Sequence, residues 1–137
     1  YIRVIFFIMS KFIIQVNGSV YGSTASFRAL SFCQSALANG HQIINVFFYQ
    51  DGVTNSNALT CPASDEIDMH SNWQSLSSKH SIPLTNCVSA ALRRGVLSPQ
   101  DATENGKPQW NSSDAFTMGG LGELVVGIEQ ADRLISF

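Results

Sequence analysis

Apolar residues come along this chain in short unbroken runs, separated by longer stretches where they recur at helical spacing. Residues 11–16 form one such run, closed by the turn pair Asn17-Gly18. Residues 42–49 form a second, containing Ile43-Ile44-Asn45-Val46-Phe47-Phe48-Tyr49 and closed by Asp51-Gly52. Near-continuous apolar character predicts parallel strands buried on both faces. Between them, residues 24–38 place Phe27, Leu30, Cys33 and Leu37 on one helical stripe. Ser23 or Thr24 can cap that helix and Asn39-Gly40 can close it. Cys33 therefore belongs to packing.

The second half of the chain repeats the pattern. Residues 53–63 are a polar loop rich in Asn. Ser64-Asp65-Glu66-Ile67-Asp68 reads as an acidic helix start, and the helix runs through Trp73 and Leu76 towards Lys79. A short strand leads from Ile82 into Cys87, followed by about two turns of helix stopped at Gly95. Residues 98–104 predict a short helix with Ser98 as cap and Pro99 at its first position. Residues 105–114 are a loop, 115–118 a fourth short strand, 119–130 a helix and 132–137 a final strand. This alternation predicts an α/β fold: a three-layer α/β/α sandwich around a mostly parallel sheet of about five strands. The pattern does not give the strand order.

No linker or internal repeat divides residues 9–137, so they are expected to form one domain. Residues 1–8 are apolar and precede Met9, but they are too short to span a membrane and lack a signal-peptide cleavage pattern. They are expected to be a non-native or misassigned extension, with Met9 the natural start.

Composition sharpens the picture. The 137 residues are 45% hydrophobic, enough for a core, yet only 13% are charged and the formal net charge is −2. A soluble domain ordinarily carries about a quarter charged residues. The shortfall fits either a surface partly covered by partner subunits or one rich in Ser and Asn. No basic stripe marks a nucleic-acid binder. Arg93 and Arg94 close a helix, where cations complement its negative end. His41, His70 and His80 lie far apart without ligand spacing and read as surface or helix-end residues.

Three widely spaced cysteines, Cys33, Cys61 and Cys87, argue against a disulfide framework and against zinc sites. A reducing cytoplasmic setting fits them. Asn17-Gly18-Ser19 and Asn111-Ser112-Ser113 match the glycosylation pattern, but nothing here points to secretion. The loop 17–24 offers glycines and hydroxyls before a helix, as a phosphate cradle would, but it is neither a Walker loop nor GxGxxG. Asp65, Glu66 and Asp68 read as a helix start rather than as acid catalysts.

Cys87 is the residue with the clearest chemical potential. It falls where a strand ends and a helix begins, and chemistry in open α/β sheets gathers at the carboxyl ends of strands. A helix N-terminus favours an adjacent anion by ~0.3–1 kcal/mol when exposed and ~2 kcal/mol when partly buried. The thiolate is the nucleophile. Position alone leaves two readings open: a reactive thiol, or a small inert core residue.

Several stretches resemble the TusD/DsrE family of bacterial sulfur-transfer subunits. They are Val46-Phe47-Phe48-Tyr49-Gln50-Asp51-Gly52-Val53, Leu59-Thr60-Cys61-Pro62-Ala63-Ser64-Asp65-Glu66, Asn86-Cys87-Val88-Ser89-Ala90-Ala91-Leu92-Arg93-Arg94-Gly95-Val96, Met118-Gly119-Gly120-Leu121-Gly122-Glu123-Leu124 and Ala131-Asp132-Arg133-Leu134-Ile135-Ser136-Phe137. The likeness covers roughly residues 9–137 in order. It implies a DsrE-like fold and a sulfurtransferase whose catalytic residue, Cys87, accepts sulfane sulfur as a persulfide. The family position matching Cys61 is not generally cysteine, so no function is carried onto it. The resemblance further implies TusB- and TusC-like partners in a heterohexamer, a TusA-like sulfur donor and a TusE-like acceptor. It implies no cofactor, no metal, no direct nucleic-acid contact and no membrane. The sulfur would end in 2-thiouridine at the tRNA wobble position. A DsrE-type sulfur-oxidation relay is the alternative branch. A structural subunit, a mononucleotide-binding flavodoxin-like module and a redox sensor are the readings outside it.

Overall fold

The computed structural model describes residues 8–137; most of the expected N-terminal extension lies outside them. Among these residues the five strands are β1 (Lys11–Val16), β2 (Gln42–Phe48), β3 (Leu84–Cys87), β4 (Phe116–Gly119) and β5 (Arg133–Ser136). The helices are α1 (Ala25–Ala38), α2 (Met69–His80), α3 (Val88–Arg93), α4 (Pro99–Glu104) and α5 (Leu121–Gln130), with a 3-10 turn at Gln50–Ser56. All strand pairs are parallel, in the order β4-β3-β2-β1-β5. No described helix is long and apolar enough to cross a membrane.

That order fixes the layers. From β1 to β4 each crossover steps the same way along the sheet, and right-handed crossovers put their helices on one face. The step from β4 back to β5 runs the other way, so α5 lies on the opposite face. It packs on β1 and β2, and Gly127 lets it close onto the Ile13 side chain. The three layers are as expected, but among the described residues the second outer layer is α5 alone.

Local signals account for most boundaries. Ser98 and Asp101 form a reciprocal capping box with Pro99 behind it, starting α4 where the sequence places it. Gly95, at φ 71°, ends the α3 segment in the left-handed region. The second long helix differs from expectation. It begins at Met69 with Asp68 as its cap, whose side chain accepts from the Ser71 N–H at 3.1 Å. Asp65 and Glu66 stay in the preceding turn. The Tyr21 hydroxyl donates to the Ile67 carbonyl at 2.8 Å, holding the chain extended just before the cap.

The core between the sheet and α1–α3 is closed by a polar knot. The 3-10 turn drops from the end of β2 onto the helical face. Gly52 lies so close to the Val16 carbonyl that any Cβ would collide with backbone. Fully buried Asn55 accepts from Trp73 Nε1 at 3.0 Å and donates to Ser26 Oγ at 2.9 Å and to the Gly52 carbonyl at 2.8 Å. His70 Nδ1 donates to the Asn55 carbonyl at 3.0 Å, and its ring stacks on Phe116 at 5.4 Å. His70 is thus a helix-end residue, but it is buried and not at the surface, because its partners lie on segments remote in sequence.

Removing the Asn55 amide would leave Trp73 Nε1 unpaired in the interior, while Ser26 Oγ keeps its bonds to the Gly18 and Ser19 carbonyls. Asn55→Ala is expected to cost roughly 1–3 kcal/mol, the order for one orphaned buried group. Urea unfolding followed by tryptophan fluorescence should show the midpoint fall; an unchanged midpoint would mean the knot does not hold the turn.

Candidate functional site

The end of β3 carries the candidate chemistry. Leu84 and Asn86 face the α1–α3 side, where Asn86 Nδ2 donates to Ser56 Oγ at 2.7 Å. Thr85 faces the other side and lines a hollow with Gly122, Glu123 and Val126 of α5. Strand alternation turns Cys87 towards that second face, beside its register partner Gly119. Cys87 is also the N-cap of α3, at φ −65° and ψ 113°, and makes no capping hydrogen bond through its side chain. The first-turn amides of α3 are therefore uncapped next to the sulfur. Such amides favour an anionic acceptor.

Cys87 is 5% exposed. It is neither sealed nor open. An outer sulfur added to it would sit about 2 Å from Sγ along an S–S bond. The Gly119-Gly120 turn lies against this position. The carboxylate of Glu123 folds onto the bare Cα of Gly119, in the space a side chain there would fill. The cue in the sequence is the Gly-Gly-Leu-Gly cluster straight after a short apolar run, where backbone must approach closely.

The other sequence candidates separate from this site. Cys33 is fully buried within α1, and burial pushes its thiol up to about 12. Cys61 is exposed on the loop before α2, with its sulfur against the Leu59 carbonyl at 3.4 Å. No disulfide joins the three. Asn86 belongs to the buried knot; its Oδ1 has no hydrogen-bond partner among the described residues. Ser89 is exposed. Arg94 donates from Nε to Asp51 at 2.8 Å and from Nη1 to the Ala90 carbonyl at 3.1 Å, pinning α3 to the 3-10 turn.

The 17–24 loop does not build an anion cradle. Its Gly18 and Ser19 carbonyls accept the Ser26 hydroxyl, and the Val20 N–H is taken by Thr54. The adjoining 260 Å³ hollow is lined by Phe27, Ile67 and the acid Glu66. Asn111 is likewise engaged, accepting from the Leu97 N–H and donating to the Gly95 carbonyl.

Residues 10–137 match the DsrE/DsrF-like family. The chain is 47% identical over 122 residues to the "Sulfurtransferase TusD homolog" of Vibrio parahaemolyticus, covering 89% of this chain and 93% of that protein. It is 44% identical over 127 residues to the "Sulfurtransferase TusD" of Erwinia tasmaniensis, covering 93% and 99%. Among solved structures it resembles the ychN protein from E. coli, with a TM-score of 0.74 over 94% of this chain and 100% of that one. At 21% identity that likeness speaks for the fold.

The thiols should separate by reagent. A disulfide probe at about pH 8 is expected to label Cys61 first and Cys33 only after unfolding. Because the folded Cys33 value lies above the unfolded one, its contribution to stability is complete below about pH 9 and lost as pH climbs towards about 12. Urea midpoints measured across that window should fall less steeply in Cys33→Ala than in the parent chain.

Proposed function

The chain belongs to the DsrE/DsrF-like family, and from that premise we propose that it carries sulfane sulfur as a persulfide on Cys87. Relatives 47% and 44% identical over about nine tenths of the chain are sulfurtransferases of the TusD type, and this chain is a sulfurtransferase with them. The observation that carries the assignment to Cys87 is its place: the last residue of β3, the cap of α3, and 5% exposed.

The chemistry is two thiol exchanges. The Cys87 thiolate attacks the outer sulfur of an incoming persulfide, R–S–SH. A new S–S bond forms at Cys87 as the donor S–S bond breaks, and the donor leaves as a thiolate that takes up a proton. An acceptor thiolate then attacks the outer sulfur of Cys87–S–SH, and the Cys87 thiolate is regenerated. No electrons are gained or lost overall, so the protein needs no redox partner. The uncapped amides of α3 support the anion before loading and after discharge. The Arg94–Asp51 pair holds α3 against the 3-10 turn and so keeps those amides in place.

In this reading the protein works in the cytoplasm within a relay complex. TusB- and TusC-like subunits accompany it in a heterohexamer, a TusA-like carrier donates and a TusE-like carrier accepts. The end product is wobble 2-thiouridine in tRNA, which this chain does not itself touch. The family relationship and the names of the relatives support the relay; the low charged fraction supports a surface shared with partners.

Mass spectrometry after incubation with a persulfidated carrier should map one sulfur, removable by reductant, to Cys87. Cys87→Ser is expected to lose that gain entirely while unfolding at the parental urea concentration, and Cys61→Ser to keep it. Sulfur loading that survives in Cys87→Ser would move the site elsewhere.

A further inference from the structure

Between the end of α3 and the loop after α4 lies an apolar groove of 460 Å³. Leu59, Leu92, Leu97, Pro108 and Trp110 line it. Trp110 is 55% exposed, Leu59 69% and Leu92 37%. The walls behind these side chains are fixed. Asn111 accepts the Leu97 N–H at Oδ1 and donates from Nδ2 to the Gly95 carbonyl, and its own carbonyl accepts the Ala58 N–H at 2.7 Å. One residue thus ties the exit of α3, the loop bearing Trp110 and the segment bearing Leu59 into one frame. Preformed concave sites of ~300–1,000 Å³ with apolar walls and few polar groups are the common form of a binding site. An exposed tryptophan among leucines is the kind of anchor that dominates protein recognition.

Charge narrows the choice of occupant. Lys107 lines the groove, and Arg93 follows Leu92 at the surface. The nearby carboxylates are spent: Glu104 accepts from Gln100, Asp101 closes the α4 cap and Asp51 holds Arg94. Among the described residues neither Lys107 nor Arg93 has a carboxylate partner. The free charge here is therefore positive. Two copies meeting at this groove would set like charges against each other, which is costly. A segment with Asp or Glu beside its apolar side chains complements it.

The groove is also close to the candidate chemistry. Leu92 stands five residues after Cys87 on α3, about 8 Å along the helix axis. Both thiol exchanges take place on the one Cys87 sulfur, so donor and acceptor come to it in turn. We propose that the Leu59–Trp110 groove is the docking site of the sulfur carriers, each seating an apolar segment bordered by Asp or Glu, with donor and acceptor occupying it in alternation. This rests on the persulfide reading of Cys87. The groove sets carrier affinity and leaves the exchange chemistry as written above.

The test measures sulfur transfer through the chain assembled with TusB- and TusC-type subunits of the same genome, against rising TusA-type donor and, separately, TusE-type acceptor. Trp110→Ala should raise the half-saturating concentration of both at least about tenfold, with the rate at saturation within about twofold, the pattern of lost binding. Lys107→Glu should act alike, and Lys107→Gln should flatten the dependence on salt. Trp110→Phe should recover most of the affinity, and Phe27→Ala, a comparably exposed aromatic on α1, should change neither carrier. An acceptor carrier with its thiols changed to serine should compete with the donor. Glutathione persulfide, too small to need the anchor, should load Cys87 equally in every variant, and circular dichroism reports the fold. Unchanged half-saturation in folded Trp110→Ala and Lys107→Glu, or an effect on one carrier alone, would overturn the proposal. So would a complex that Trp110→Ala takes apart, which would make a subunit the occupant, or self-association of the parent chain lost in Trp110→Ala, which would make it a second copy. A parent chain that takes no sulfur from either source, yet loses sedimentation with the carriers on Trp110→Ala, would remove the persulfide reading and leave the docking site standing.

Discussion

The buried amide of Asn55 is the constraint on which the site depends. It ties Trp73 of α2, Ser26 of α1 and the Gly52 carbonyl to one side chain. Around it, Ser56 holds Asn86 and the Asn55 carbonyl holds His70. Each bond alone adds only about 1 kcal/mol net, but leaving a partner unmet inside the protein costs more. The 3-10 turn is therefore fixed against the ends of β2 and β3. Gly52 makes the close approach possible, and Gln50, at φ 51°, accepts a left-handed conformation to begin it.

A fixed turn gives α3 something rigid to rest on. The helix is short, six residues, and cannot stand on propensity alone. Ala90 and Ala91 pack inward, while Arg94 clamps the far end to Asp51. That clamp is partly exposed and worth little as stability. Its contribution is directional: it sets where the first-turn amides point, and Cys87 sits at their origin. The same strand end that Asn86 anchors to the knot carries Cys87 as its last residue.

The opposite face shows the converse economy. Among the described residues α5 is the one helix on this face, and most of its apolar side chains face water. A monomer this rich in exposed valine and leucine carries a patch of the kind that marks interaction surfaces.

Short-range physics made much of this legible in the sequence. The five strands, the Ser98 cap of α4, the glycine stop after α3 and the placement of Cys87 at a strand-to-helix junction all follow from residues within a few positions of each other. The α2 start was misjudged by the same logic: Asp65, Glu66 and Asp68 are all plausible beginnings, and the distant Tyr21 hydroxyl bound at Ile67 selects among them. His70 read as a surface or helix-end residue; it is the latter, and its burial was not legible because its partners, Asn55 and Phe116, are remote along the chain. Strand order, the isolation of α5 on one face and the pairing of Cys87 with Gly119 were out of reach for the same reason. They depend on which strands meet across the sheet, and that is decided by crossover handedness and by packing between segments that the linear pattern does not relate. The sequence determined which residue could do chemistry; the tertiary structure alone decided what lies beside it and which face remains open.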